Sequence, residues 1–494
     1  MTRRPRRAAH APWALLVCVL SFVTGCAYPV RNQPAMVISD THGYQFAKLE
    51  PSAAKDTLVI VTLSGGGTRA AALGLSVLRG LDKIALPNGE TLAAEVDVIS
   101  SVSGGSVTAA FFALAGRDGF KRLEDDFIRK DGMTPLLFGF FNPVGLVRFA
   151  TPGQERIDLL IDYLNKQLFD GKTYQALIEQ KRRPFLILNA ADMVEGVPFP
   201  FTQRKMDLLC SDLSQMPLAT AVAASAAFPV ALSPVTLKDY SPCAAQKDPW
   251  PPLRVSVNID KPGTPPQDSL WYDNPPRATL GRTEYAYALG NNSVRTQRKL
   301  YIHLLDGGIA DNLGIFEPYR MLTTRDTLPS FLGQIDTGKI KKLIFVMVNA
   351  RSFAPLGLDE NQATPGILDM LLASISSPID RATTGTANQL RQLLFDEFRQ
   401  LALADPKKEA IYHALAENTA LISVDFDAIV DEDCRRKYHS IPTSWSLEAK
   451  QVDAVLAVGQ ALFASDPKFA DLLKLTGGTV TAPLPSVDEV CKLW

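Results

Sequence analysis

Three apolar runs of strand length, each closing on serine, aspartate and glycine, constrain this chain more than any other feature. Leu58 to Leu63 ends in Ser64-Gly65-Gly66-Gly67-Thr68-Arg69 and leads into a helical pattern from Ala70 to Lys83. Val96 to Ile99 leads through Ser101-Val102-Ser103-Gly104-Gly105 into a helical pattern from Val107 to Leu114. Leu300 to Leu305 ends in Asp306-Gly307-Gly308. Further runs at Phe185 to Asn189 and Leu343 to Val348 alternate with helical patterns at Gln154 to Gln167, Thr173 to Glu179 and Leu218 to Ala227. Apolar strands alternating with helices predict an α/β fold, a mostly parallel sheet covered by helices.

The strand ends carry the chemistry. A serine between small residues, after a strand and before a helix, is presented by a tight turn. The helix amino-terminus there lowers the cost of negative charge. Ser103 is therefore the candidate nucleophile. Gly65, Gly66 and Gly67 offer consecutive N–H groups with no Cβ in the way, a candidate oxyanion hole. A phosphate-cradling loop would close on Gly-Lys-Ser/Thr, which this one does not. The serine needs a base, and Asp306 sits at a strand end where it can reach a serine on a neighbouring strand. An aspartate with pKa near ~4 is a poor base at neutral pH, so its pocket is expected to be apolar. Arg69, just inside the first helix, has two readings: it holds the loop, or it meets an anionic head group. Each piece also has a plainer reading. Ser103-Gly104-Gly105 can cap a helix, Asp306 can start a turn, and Asp311 or Asn312 can cap the next helix. In this order the set predicts a serine acyl hydrolase.

SGGGTRAAAL, the SVSGG elbow and LLDGG, in that order, resemble the patatin-like phospholipases. Leu188-Asn189-Ala190-Ala191-Asp192 and Ala224-Ser225-Ala226-Ala227-Phe228-Pro229 look like segments that the family carries between elbow and aspartate. The resemblance covers roughly Asp56 to Val348. It implies a three-layer α/β/α fold and a Ser–Asp dyad of Ser103 and Asp306 without a catalytic histidine. It also implies an oxyanion hole at Gly65 to Gly67, and chemistry without metal or other cofactor. The implied substrate is a membrane glycerophospholipid or other long-chain acyl ester, cleaved to fatty acid and lysolipid. Three other readings stay open: a Ser-His-Asp esterase drawing on His303, His413 or His439, a lipid acyltransferase, and a lipid-binding lipoprotein without turnover.

The amino-terminus predicts the compartment. Arg3, Arg4, Arg6 and Arg7 precede an apolar stretch from Trp13 to Val23, and Val23-Thr24-Gly25-Cys26 resembles the lipobox of bacterial lipoproteins. The stretch is short of the ~20 residues that a spanning helix needs. Residues 1–25 are thus expected to be a lipoprotein signal peptide, with Cys26 lipidated and 26–55 a tether. Ala27 lacks the aspartate associated with inner-membrane retention, which favours the outer membrane. With 51 Lys and Arg against 52 Asp and Glu the net charge is −1, so there is no electrostatic footprint for nucleic acid. Loss of the leader, with four arginines and no acid, makes it about −5. Four cysteines remain after Cys18 and Cys26; they can stay as free buried thiols or, in an oxidising space, form two disulfides by three connectivities, of which sequence proximity favours Cys210 with Cys243 and Cys434 with Cys491. Five histidines and no Cys/His metal spacing argue against a metal site.

Residues 56–350 are expected to form the catalytic domain, with a Pro-rich insertion at 239–299. That insertion and the apolar, Gly- and Pro-containing stretch 136–149 read either as lids or membrane contacts, or as a surface excursion and core packing respectively. Residues 351–494 are expected to be mainly helical and packed on that domain. A strand-like alternation at Ile422, Val424 and Phe426 leaves room there for one more sheet strand.

Overall fold

The computed structural model describes residues 29–36, 42–51, 53, 56–134, 155–229, 231–240, 300–323, 334–335, 337–352 and 407–494, with isolated residues between 366 and 403. The leader with Cys26, the stretch 136–149 and nearly all of 239–299 lie outside the described residues.

The centre is an eight-stranded sheet. Its strands are β1 (Thr57–Leu63), β2 (Val98–Val102), β3 (Phe185–Asp192), β4 (Pro198–Pro200), β5 (Val235–Lys238), β6 (Tyr301–Asp306), β7 (Lys342–Asn349) and β8 (Thr419–Asp425). Hydrogen-bonded neighbours run β8-β7-β1-β2-β3-β6-β5, and β4 pairs β3. The five strands from β8 to β3 are mutually parallel, whereas β6 and β4 run antiparallel to β3. All residues of β1, β2 and β3 are buried, which is why these runs carry no polar alternation.

Two helices begin inside the glycine motifs rather than after them: α1 (Gly67–Asp82) and α2 (Ser103–Ala115). Their amino-termini cross so closely that a Cβ on Gly104 would overlap the Gly67 carbonyl oxygen. A Cβ on Gly105 would press on the Leu63 and Ser64 carbonyls in the same way. The small residues of both motifs are thus required by packing between strand-to-helix corners, whatever chemistry they also serve.

The carboxyl-terminal region is part of this body. β8 continues the sheet beyond β7 in full register from Leu343–Thr419 to Asn349–Asp425. Helix Ala449–Ser465 lies on α1, where Gly459 leaves room for Ser76, and Ser76 Oγ donates to Leu456 O (2.5 Å). A disulfide joins Cys434 to Cys491, as sequence proximity favoured, and Cys210 is disulfide-bonded as well; Cys243, the partner expected for it, lies outside the described residues. Among the described residues no helix is long and apolar enough to cross a membrane, and no group of His, Cys, Asp and Glu is arranged to hold a metal ion.

Candidate active site

The backbone of β3 brings the candidate nucleophile and the candidate base together. Phe185 N–H donates to Asp97 O just before β2, and Met193 N–H donates to His303 O of β6, each at 2.8 Å. Asp192 N–H and Leu188 O bond instead to Val197 and Phe201, at either end of β4. Odd- and even-numbered residues of a strand turn their backbone groups to opposite edges. So β2 and β6 share one edge of β3. β2 runs up it to Val102, opposite Asn189, and β6 runs down it to Asp306, opposite Ala190. Ser103 and Asp306 follow from two strand ends meeting head-on, not from a parallel pair of neighbours. Sequence alone placed them on neighbouring strands. The difference arises because β6 is antiparallel, a direction that apolar patterning does not encode.

Ser103 is held at φ 51°, in the left-handed region that a residue with a Cβ adopts at a cost. A set of buried serines keeps it there. Ser225 Oγ donates to Asn189 O (2.6 Å) and accepts Ser103 N–H (2.9 Å). With its one proton engaged, Ser225 must accept from Ser106 Oγ (2.9 Å), and Ser106 in turn from Ser101 Oγ (3.1 Å). Asn189 closes the arrangement by donating Nδ2 to Ser100 Oγ and Ser101 O, both at 2.9 Å. The same corner fixes the carboxylate strand, since Asp306 N–H donates to Ala227 O (3.0 Å) and Gly307 N–H to Ser225 O (3.1 Å). Asn189 and Ser225 were visible in sequence only as members of family-like segments. A buried serine in the small-residue helix Leu218–Ser225 gives no signal of its own.

Asp306 is 6 % exposed, and the Ser103 side chain lies near enough to its carboxylate to lower its pKa. Its Oδ1 accepts Gly308 N–H at 2.8 Å. Burial pushes its pKa from 3.8 up to about 6, and the Gly308 bond and the nearby Ser103 side chain hold it from rising further. Asp311 is raised to about 6 by burial too, but it accepts backbone N–H groups from Leu313, Gly314 and Phe316 (3.2, 3.1 and 2.9 Å). It organises the turn ahead of helix Phe316–Thr323 and so places Asn312.

The glycine loop is bracketed by hydrogen bonds. Gly65 N–H donates to Asn312 O (3.2 Å) and Thr68 N–H to Ser444 O (2.8 Å). Between them, Gly66 (φ 139°) caps α1 and Gly67 (φ 60°) opens its first turn, where N–H groups have no intrahelical acceptor. Among the described residues neither N–H has a protein acceptor. Gly65 lies beside Ser103, since a Cβ built on it would come within 3.3 Å of Ser103 Cβ. Of the three glycines considered for the oxyanion hole, Gly65 therefore has its donor engaged, and Gly66 and Gly67 have theirs open.

Arg69 is buried and turned inward. Its Nε donates to Ala350 O (2.9 Å), Nη1 to Ile441 O, and Nη2 to Thr443 Oγ1 (3.0 Å). Of its two sequence readings, loop-holding is the one this geometry matches. The histidines weighed for a triad lie elsewhere: His303 Nδ1 bonds Thr236 Oγ1 (3.0 Å), His413 faces Glu409 (3.7 Å) and His439 Nε2 bonds Asp427 (2.8 Å).

No curated protein matches this chain. Two solved structures of human GIVD cytosolic phospholipase A2 are similar in part. One, at 13 % identity and TM-score 0.31, covers 59 % of this chain and 45 % of its own. The other, in complex with methyl gamma-linolenyl fluorophosphonate inhibitor and terbium chloride, matches at 12 % identity and TM-score 0.32, covering 70 % and 52 %. This chain thus spans about half the length of those structures. The family model described as patatin-like phospholipase matches residues 61–319, from β1 through the elbow and Asp306 into helix Phe316–Thr323, and the chain belongs to that family.

Proposed function

We propose that this chain hydrolyses ester-linked acyl chains of membrane phospholipids or related long-chain esters by a Ser103–Asp306 dyad. The observation that carries the reading is a buried carboxylate whose pKa burial raises to about 6 and the neighbouring hydroxyl of an elbow serine lowers, beside two unclaimed amides. Asp306 takes the proton from Ser103 as Oγ attacks the ester carbonyl. The oxyanion that forms is met by Gly66 and Gly67 N–H, at the amino-terminus of α1. Collapse expels the alcohol, which leaves with the proton from Asp306 and, for a phospholipid, is a lysolipid. Asp306 then deprotonates water, which attacks the acyl-serine. Fatty acid is released and Ser103 recovers its proton.

Activity-based labelling and lipid product analysis test the reading together. A fluorophosphonate should label the parent protein and not Ser103→Ala, and mass spectrometry should show free fatty acid and lysolipid from vesicles with the parent alone. Asp306→Asn should release neither. Absence of labelling on vesicles, with binding retained, would instead identify a lipid-binding protein. The leader supports a membrane location for this activity. Cys26→Ser should move the chain from the membrane to the soluble fraction.

A further inference from the structure

Residues 440–446 lie beyond the family-matched residues 61–319, yet they press directly on the glycine loop. Ser444 O accepts Thr68 N–H at 2.8 Å, and a Cβ on Gly67 would overlap that same carbonyl. Arg69 spans the junction. Its planar guanidinium reaches Ala350 O at the end of β7 and, on the strap, both Ile441 O and Thr443 Oγ1. The strap is fastened away from the loop as well. Gly132 N–H donates to Trp445 O (3.1 Å), the Trp445 ring stands edge-on to Phe127 (6.1 Å between centroids), and Ser446 N–H donates to Ser444 Oγ (3.1 Å). Upstream, helix Glu432–His439 is fixed by the Cys434–Cys491 disulfide and by His439 Nε2 on Asp427 (2.8 Å).

We propose that this strap is a brace that sets the aim of the Gly66 and Gly67 amides, with Thr443 and Ser444 as positioning residues. The inference rests on reading those amides as the oxyanion donors. Glycines at φ 139° and 60° have no conformational preference that would hold a donor pair on a point. Their direction is set from outside, by Asn312 on one flank and the strap on the other. Asn312 belongs to the segment that carries Asp306, so it moves with the base. The strap is an independent support. Among the described residues its hydrogen bonds toward the site go to Thr68 and Arg69 of the loop, so its failure changes transition-state stabilisation.

Thr443→Val removes the acceptor of Arg69 Nη2, and Thr443→Ser keeps it. The valine variant should lose about tenfold in kcat on a long-chain ester with KM unchanged, and the serine variant should recover. The rate of fluorophosphonate labelling of Ser103 should fall in parallel, since that reaction also develops charge on an oxygen. Cys434→Ala with Cys491→Ala, which slackens the strap at its anchor, should move kcat in the same direction. Folded Thr443→Val and double-cysteine proteins with the parent kcat would overturn the brace while the dyad stands. So would a kcat loss that follows Tm and is not restored by serine. A parent protein that neither labels at Ser103 nor releases fatty acid would overturn the oxyanion reading and the brace with it.

Discussion

Replacing Asp306 by Asn should make the protein more stable and inactive, and the stability gain should depend on pH. The carboxyl of Asp306 has a pKa of about 6 in the fold against 3.8 for an ordinary aspartate, with burial as the leading cause. Because the folded value is raised, the neutral acid is the form that the fold favours. Its contribution to stability is fully present below pH 3.8 and is lost as pH rises through about 6. At pH 7.5 the parent therefore holds a buried carboxylate at a cost of about 3 kcal/mol relative to the protonated acid. Asparagine is close to that acid in shape and stays neutral. Its Oδ1 can still accept Gly308 N–H, and its Nδ2 can donate to Ser103 Oγ. The difference in unfolding free energy between variant and parent should approach about 3 kcal/mol at pH 7.5 and vanish below about pH 4. Asp311, raised by burial in both proteins, cancels in the difference. Denaturant melts at four or five pH values would measure it. kcat/KM of the parent on a soluble acyl ester should rise through an apparent pKa near 6 and plateau above it. A variant that is less stable than the parent at pH 7.5, or a gain that stays constant with pH, would refute the argument that Asp306 is a strained, ionised base.

Other substitutions separate the roles of the site's parts. Ser103→Gly should abolish fluorophosphonate labelling and raise stability by about 1 kcal/mol in thermal melts, because φ 51° no longer strains a Cβ. Ser225→Ala leaves Ser103 N–H without its acceptor and Asn189 O without its donor, so it should cost about 1–3 kcal/mol and lower kcat. Replacing His303 and His413 together by Gln should leave kcat within about twofold, since neither bonds Ser103 or Asp306. A loss of several hundredfold would restore the triad reading.

What was legible in sequence was what local chemistry dictates. The apolar runs announced the central strands, and β1, β2 and β3 are buried on both faces. Ser103 and Asp306 stood out because small residues and strand ends mark them. The boundaries moved for a physical reason. Gly67 and Gly104 read as loop, but both sit in the first turn of a helix because two backbone corners approach there with no room for a Cβ. Less could be read wherever function depends on backbone groups whose partners are remote. Gly65, Gly66 and Gly67 are equivalent as letters, and only the fold shows that Asn312 O engages the first of them. Ser225 is one serine in an alanine-rich helix until the antiparallel return of β6 brings Asp306 and Gly307 against its corner. Arg69 likewise had two readings until the strap at residues 441–443 supplied acceptors 372 and 374 positions away. Chain direction and distant hydrogen bonds leave no periodic trace. The parts of such a site that sequence hides are therefore those that aim its donors, while the candidate reacting groups, Ser103 and Asp306, are in plain view.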